Sequence, residues 1–361
     1  MDGAHDTKRN AYARGSVTVL GTGFALPGAP LDNRSLFERV GALAPGLSAR
    51  AMIATARRLS IDTRHVSRAF RARAEAPLPG ARNPELAARA VRRALDEAGL
   101  DPGELGYLIG HTATPAQPLP SNIALVADEL DYAGPHVELR QACTGFANAL
   151  LIAFGMLADP DARPVAIVGS ETGSLFFDPA SAAHDRDQRV NLAQMGDAAA
   201  AVVLGPARPG TSRLRAVWFG ALGLHKAPGL EMRAGGADCS APSALPLAFV
   251  HDYKRIAQTG TVLFDAGVAA AEKQGVALDE VDWIIPHQTS GRIGVQLAAH
   301  FDVPSDKVFV NADRVGNTGS AAIWLALAQL RERGLASDTR VLALGAEATK
   351  YMHGGFLYEQ G

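Results

Sequence analysis

Short apolar runs alternate along this chain with longer stretches whose apolar residues recur at helical spacing, and Gly, Pro or Asp marks most of the joins. SVTVLGTGFALP predicts a strand running into a Gly/Pro loop, and NRSLFERVG and SARAMIATARRLS predict helices followed by a turn at SIDTRHVS. NPELAARAVRRALDEAGL predicts a helix with Asn83 at its cap and Gly99 just past its end. YLIGHTAT is a short buried strand, SNIALVADELDYAG a helix stopping at Gly134, and HVEL another strand. The next stretch, ELRQACTGFANALLIAFGML, holds a helix apolar almost all the way round, the mark of a helix buried between layers. PVAIVGSET and AAAAVVLGP then read as strands, the first with the continuous apolar run of a sheet covered on both faces.

The same grammar returns after Pro206. RLRAVWFGAL is a strand, and PLAFVHDYKRIAQTGTVLFDAGVAAAEKQG is helical in at least two pieces. VDWIIPHQ is a strand ending at Pro-His, and SGRIGVQLAAHFD is a helix. KVFVNADRVGNTGSAAIWLALAQLRERG goes strand, loop, buried helix, with Gly334 as its stop, and RVLALGAEAT and GGFLYEQ are the last strands. The expectation is an α/β fold of two similar halves, residues 16–206 and 207–361, joined in the GPARPGTS linker after a mobile polar tail at 1–15.

A length of 361 residues fits two domains or a duplicated fold, and the 47% hydrophobic and 20% charged shares are ordinary for a globular protein. A formal charge of −2 argues against general nucleic-acid binding. The chain begins without the apolar core of a signal peptide or a membrane span. It holds 2 cysteines, too few for a disulfide framework, so a reducing cytoplasm is expected. Cys239 sits in a Gly/Ala/Ser/Pro loop that offers a thiolate little support. Cys143 lies where HVEL meets the buried helix. Unpaired N–H groups and the positive end of the helix dipole there favour a thiolate and hence a nucleophile. A buried structural cysteine is the competing reading.

Three further features stand at the ends of apolar elements, where sites form in open α/β sheets: His287 after DWIIP, Asn317 in RVGNTGS, and the turn after VLALG. Singly, each has an ordinary structural explanation; Asn beside Gly, for example, suits a turn. Together with VLGTGFALP, QACTGFANAL, VGSET, MGDAAAAVVL, PHQTSGRI and VGNTGSAA they resemble the ketosynthase III-type condensing enzymes of the thiolase superfamily over nearly the whole chain from residue 16.

That resemblance implies a five-layered αβαβα architecture and a homodimer with active sites near the interface. It implies a catalytic set of Cys143, His287 and Asn317, with an oxyanion hole made by the backbone N–H groups of Cys143 and Ala348. GAEATK stands where the family has a glycine-rich turn. Acyl transfer from a coenzyme A or carrier-protein thioester to Cys143 would precede decarboxylative condensation with a malonyl-type extender, with no metal or redox cofactor. Leu119 would meet the acyl pocket across the dimer; Arg58 would stand near the pantetheine tunnel, and Arg292, Lys254 and Arg255 would face a carrier protein. A solvated surface charge is the alternative for all four cations. The resemblance departs at Ala54, opposite the family's adenine-sandwiching tryptophan, and at Leu175, opposite an arginine near the coenzyme's phosphates. The longer FFDPASAAHDRDQRVNLAQ segment departs as well. These changes point to a specialised member of a fatty-acid or polyketide-type pathway. Two alternatives remain: acyl transfer from Cys143 to an alcohol or amine, which the retained Asn317 disfavours, and a non-catalytic partner subunit, which the intact Cys143 disfavours.

Overall fold

In the computed structural model the described residues are 9–72, 75–232 and 250–361, apart from the side chains of 253–255, 257 and 258. The first half supplies β1 (Ser16–Ala25), β2 (Tyr107–His111), β3 (His136–Leu139), β4 (Val165–Glu171) and β5 (Ala198–Gly205). The second supplies β6 (Arg213–Ala221), β7 (Trp283–Pro286), β8 (Arg340–Glu347) and β9 (Met352–Glu359). The main helices are α1 (Asn83–Ala98), α2 (Asn122–Leu130), α3 (Gly145–Met156), α4 (Tyr253–Lys273), α5 (Ile293–Phe301) and α6 (Ala322–Arg331).

The strand order is β7-β8-β9-β6-β1-β5-β4-β2-β3. β2 lies parallel to β3 and β4, while β5 runs antiparallel to β4 and β1. The second half repeats this arrangement: β7 is parallel to β8 and bridges Val308 in parallel, while β9 is antiparallel to β8 and β6. The halves join where Ser16–Thr18 of β1 pairs with Arg213–Arg215 of β6.

Alternation along the strands sorts side chains into layers. Ala198, Ala200, Val202 and Leu204 of β5 share one core with Phe146 and Leu150 of α3, Trp324 and Leu327 of α6, and Val341 and Ala343 of β8. The intervening Ala199, Ala201 and Val203 pack against α1 and α2, and Leu342 and Leu344 of β8 pack towards α4 and α5. The result is helix, sheet, helix, sheet, helix, with α3 and α6 in the middle, as the sequence pattern implied for α3. Phe146 anchors that middle layer edge-on to both Trp324 and Phe356, at 5.9 and 5.8 Å between ring centroids.

Several boundaries differ from expectation. Arg82, not Asn83, is the cap of α1; Asn83 is buried and donates to the Thr114 carbonyl at 2.8 Å. Asp131 adopts a left-handed conformation at φ 54° and ends α2 before Gly134 is reached. Of the expected tail, Ala11 and Tyr12 pair with Phe219 and Trp218 of β6, a paired edge that the polar composition concealed. Among the described residues, the long stretch before residue 275 holds a single helix, α4, preceded by a short strand at Val250–His251. The FFDPASAAHDRDQRVNLAQ segment folds into helices Pro179–His184 and Arg186–Gln194, capped by Asp178 and Asp185.

Candidate active site

Cys143, His287 and Ala348 follow the carboxyl ends of strands, and Asn317 lies in a loop before α6. Cys143 sits in the turn between β3 and α3, which begins two residues later at Gly145, and it is partly accessible. Beneath it, His111 at the end of β2 fills the space beside Gly145 and Gly169; a methyl group on Gly145 would lie 2.6 Å from its Nδ1. Both ring nitrogens of His111 are buried, and burial lowers its pKa to about 4.

The turn after β8 is fastened to the cysteine turn. Glu347 accepts a hydrogen bond from the Thr144 N–H at 2.9 Å and another from the Thr144 hydroxyl at 2.7 Å. Thr349 donates its hydroxyl to the same carboxylate. Cys143 and Ala348, the residues flanking this tie, each keep a backbone N–H with no acceptor in another residue among those described. On the other side, Glu171 at the end of β4 accepts from the Thr114 hydroxyl at 2.5 Å and from the N–H and hydroxyl of Ser320 at 3.1 and 2.8 Å. The expected thiolate-favouring setting is corrected here. Burial first, then the carboxylates of Glu347 and Glu171, push the Cys143 thiol well above its ordinary value. The Glu347 carboxylate takes the Thr144 N–H just before α3, a donor that would otherwise favour the anion.

Asn317 is held by its backbone: its N–H donates to the Gln194 carbonyl at 2.7 Å and its C=O accepts from Gly196 at 3.0 Å. Its Oδ1 accepts the Gly319 N–H at 3.1 Å, which leaves the Nδ2 end as the donor. Gly316 and Gly319 take φ of +73° and +51°, and a Cβ on Gly319 would lie 2.6 Å from Glu171 Oε2. The VGNTGS turn therefore needs both glycines.

His287 follows β7, its N–H bonded to the Leu344 carbonyl of β8 at 2.8 Å. The next residue, Gln288, takes the N–H groups of Asn311 and Ala312 at 2.9 and 3.0 Å and donates to the Phe309 carbonyl at 2.9 Å. That network fixes the backbone beside His287. Nδ1 of His287 is buried without a partner among the described residues, and burial lowers the ring's pKa to about 4, so the imidazole is neutral at pH 7. A neutral imidazole, a carboxamide, a thiol and two unclaimed N–H groups can bind and move an acyl group.

The family model described as 3-oxoacyl-[acyl-carrier-protein] synthase III matches residues 137–223, and the one for its C-terminal region matches residues 271–358. A β-ketoacyl-[acyl-carrier-protein] synthase III of Neisseria meningitidis serogroup C is 32% identical over 86% of this chain and 88% of its own length. The chain belongs to the synthase III family. AbyA1, a tetronic acid condensing enzyme, has a similar structure, with a TM-score of 0.81 and 26% identity over 95% of this chain and 99% of its own. The 3-oxoacyl-(acyl carrier protein) synthase III of Pseudomonas aeruginosa PAO1 gives 0.77 and 26%, covering 96% and 98%. The fold is thus thiolase-like, and the protein is an acyltransferase of the condensing-enzyme type.

The peripheral candidates divide within this synthase III family member. Arg58, at the end of the helix Ala49–Arg58, and Arg292, just before α5, are both exposed, and the Gly291 N–H bonds the Leu59 carbonyl at 2.9 Å, so they share one surface. Lys254 and Arg255 lie in the first turn of α4, but their side chains fall outside the described residues, as does Cys239. Leu119 is 85% exposed and is not gathered with Cys143 in the single chain. Ala54 is exposed, and Leu175 lines a cavity of about 450 Å³ with Pro115, Gln117, Arg140, Phe176 and Met232. Sequence reasoning missed Glu171, Glu347 and His111; their one signal was a polar residue closing an apolar strand.

Proposed function

We propose that Cys143 attacks an acyl thioester, expelling coenzyme A or a carrier thiol and forming an acyl-cysteine. The N–H groups of Cys143 and Ala348 bind the oxyanion of the tetrahedral intermediate. His287, donating through Nε2, and Asn317, donating through Nδ2, then hold the thioester oxygen of a malonyl-type extender. Loss of CO2 leaves an enolate whose carbon attacks the acyl-cysteine, and departure of the sulfur releases a β-ketoacyl thioester. Two neutral donors suit this step because neither supplies an acidic proton to quench the carbanion. We assign the Nε2–H tautomer because Nδ1 is the enclosed nitrogen.

The observation that carries the reading is the pair of unclaimed N–H groups on two turns tied together beside an accessible thiol. Arg58 and Arg292 on one face suit a phosphopantetheine or carrier-protein partner, and Lys254 and Arg255 are carrier-protein candidates from the sequence alone. We infer a homodimer in which Leu119 of one protomer reaches the acyl pocket of its partner, and a cytoplasmic place beside thioester pools. The absence of an aromatic at Ala54 and of a cation at Leu175, with the likeness to a tetronic acid condensing enzyme, favours a specialised polyketide-type pathway. Intact-protein mass spectrometry across a thioester panel tests the scheme. Cys143→Ala should take up no acyl group, whereas His287→Ala and Asn317→Ala should load and then release no β-ketoacyl product on addition of malonyl thioester. Loss of the label to an alcohol or amine without CO2 release would instead indicate simple acyl transfer.

A further inference from the structure

The chemistry above leaves Glu347 without a task, although it is 2% exposed and stands beside the nucleophile. A buried carboxylate is costly unless its hydrogen bonds repay the desolvation. Here one carboxylate gathers three donors: the N–H and hydroxyl of Thr144 and the hydroxyl of Thr349. Thr144 follows Cys143 in the chain, and Ala348 follows Glu347. The two oxyanion donors therefore sit one residue from either end of this clamp. The turn AEATK contains no glycine, and the one other side-chain tie between these two segments among the described residues is the weak contact of Gln141 Nε2 with Met352 Sδ at 3.7 Å.

We infer that Glu347 is a positioning residue that fixes the separation of the Cys143 and Ala348 N–H groups by clamping the nucleophile turn to the turn after β8. This rests on the proposed role of Cys143. The clamp has a cost: its negative charge opposes thiolate formation, in the same direction as Glu171, while the neutral His111 beneath the turn adds no charge at pH 7. Geometry and charge can be separated because Gln in place of Glu keeps an oxygen acceptor and loses the charge.

Two rates on the full chain make the test. Alkylation by iodoacetamide reports the thiolate alone, whereas acylation by a hexanoyl N-acetylcysteamine thioester needs the thiolate and the oxyanion donors. Glu347→Gln should move the pH midpoint of alkylation down and hold the acylation-to-alkylation ratio within about threefold, because the acceptor is retained. Glu347→Ala should lower that ratio roughly 10- to 100-fold at every pH, somewhat less than outright removal of an oxyanion donor. An unchanged ratio in Glu347→Ala, or an equal loss in Glu347→Gln, would overturn the clamp. If Glu347→Ala does not fold, Thr349→Val takes its place with a smaller drop in the ratio. No drop there, with an unmoved midpoint in Glu347→Gln, overturns it equally. Acylation that persists in Cys143→Ala sinks the nucleophile assignment itself, a result distinct from all of these.

Discussion

Three imidazoles weigh on the acid side of this protein's stability: His111, His251 and His287. Each has a folded pKa of about 4 against an ordinary 6.5, because burial penalises the charged ring. Between those values the unfolded chain holds the proton and the folded chain does not, so this contribution is complete above pH 6.5 and is lost as pH falls towards 4. The slope is about 1.4 kcal/mol per pH unit for each ring. Glu171 and Asp197, whose carboxyls burial raises, act in the opposite sense just above the usual carboxylate range. A difference between variants isolates the imidazole. The urea midpoint of the parent should fall more steeply from pH 6.5 to 5 than that of His111→Asn. Parallel pH curves would show that His111 takes its proton in the fold as easily as in water.

At the scale of elements, the loop bearing Asn317 is seated on the segment before β5. Asn317 and Met195 form a parallel bridge, and Gly196 lies so close that a Cβ there would collide with the Val315 carbonyl oxygen. Gly196→Ala should therefore displace the Asn317 loop while leaving the Cys143 turn on its own supports. Overpacking of this kind costs about 1–3 kcal/mol. The expected phenotype is acyl loading within a few-fold of the parent with condensation strongly reduced, read as acyl-enzyme accumulation by mass. Equal loss of both half-reactions would mean that the two loops move together.

This element scale also shows what could be read from residues in order. The strands and the two central helices were legible because burial on both faces writes uninterrupted apolar runs such as VAIVGSE and AIWLALAQL. Cys143, His287 and Asn317 stand out in the sequence as candidates because each lies beside or at the end of such a run. Glu171 and Glu347 close strands too, but a carboxylate at a strand end is ordinarily solvated, and only the fold supplies Thr114, Ser320, Thr144 and Thr349 as donors from distant positions. The raised cysteine pKa was hidden for the same reason, since the helix start is local and the opposing charges come from more than 200 residues away in the case of Glu347.

At the scale of the molecule, one strand order occurs twice, and each copy supplies part of the candidate site: Cys143 and Glu171 from the first, His287, Asn317 and Ala348 from the second. Among the described residues, a single copy of the chain leaves Leu119 without an apolar cover. Leu119 stands 85% exposed on the PAQPLP loop, whose Pro115, Ala116, Gln117 and Pro118 border the cavity of about 450 Å³ beside Leu175 and Phe176. An exposed leucine of this kind alone would be unremarkable, but on a loop bordering an opening lined by Leu175, Phe176 and Met232 together with Glu75, Arg82 and Arg140 it fits burial by the second protomer of the proposed homodimer. Fully burying such a side chain is worth roughly 1.5–3 kcal/mol, and a symmetric dimer counts it twice. In the proposed homodimer, Leu119→Asp should therefore shift the protein towards monomer in light scattering at micromolar concentration and alter which acyl thioesters load onto Cys143. Leu119→Met, which conserves volume, should change neither by much. A Leu119→Asp protein that remains dimeric and keeps the parent's acyl panel would place Leu119 away from both the interface and the acyl pocket.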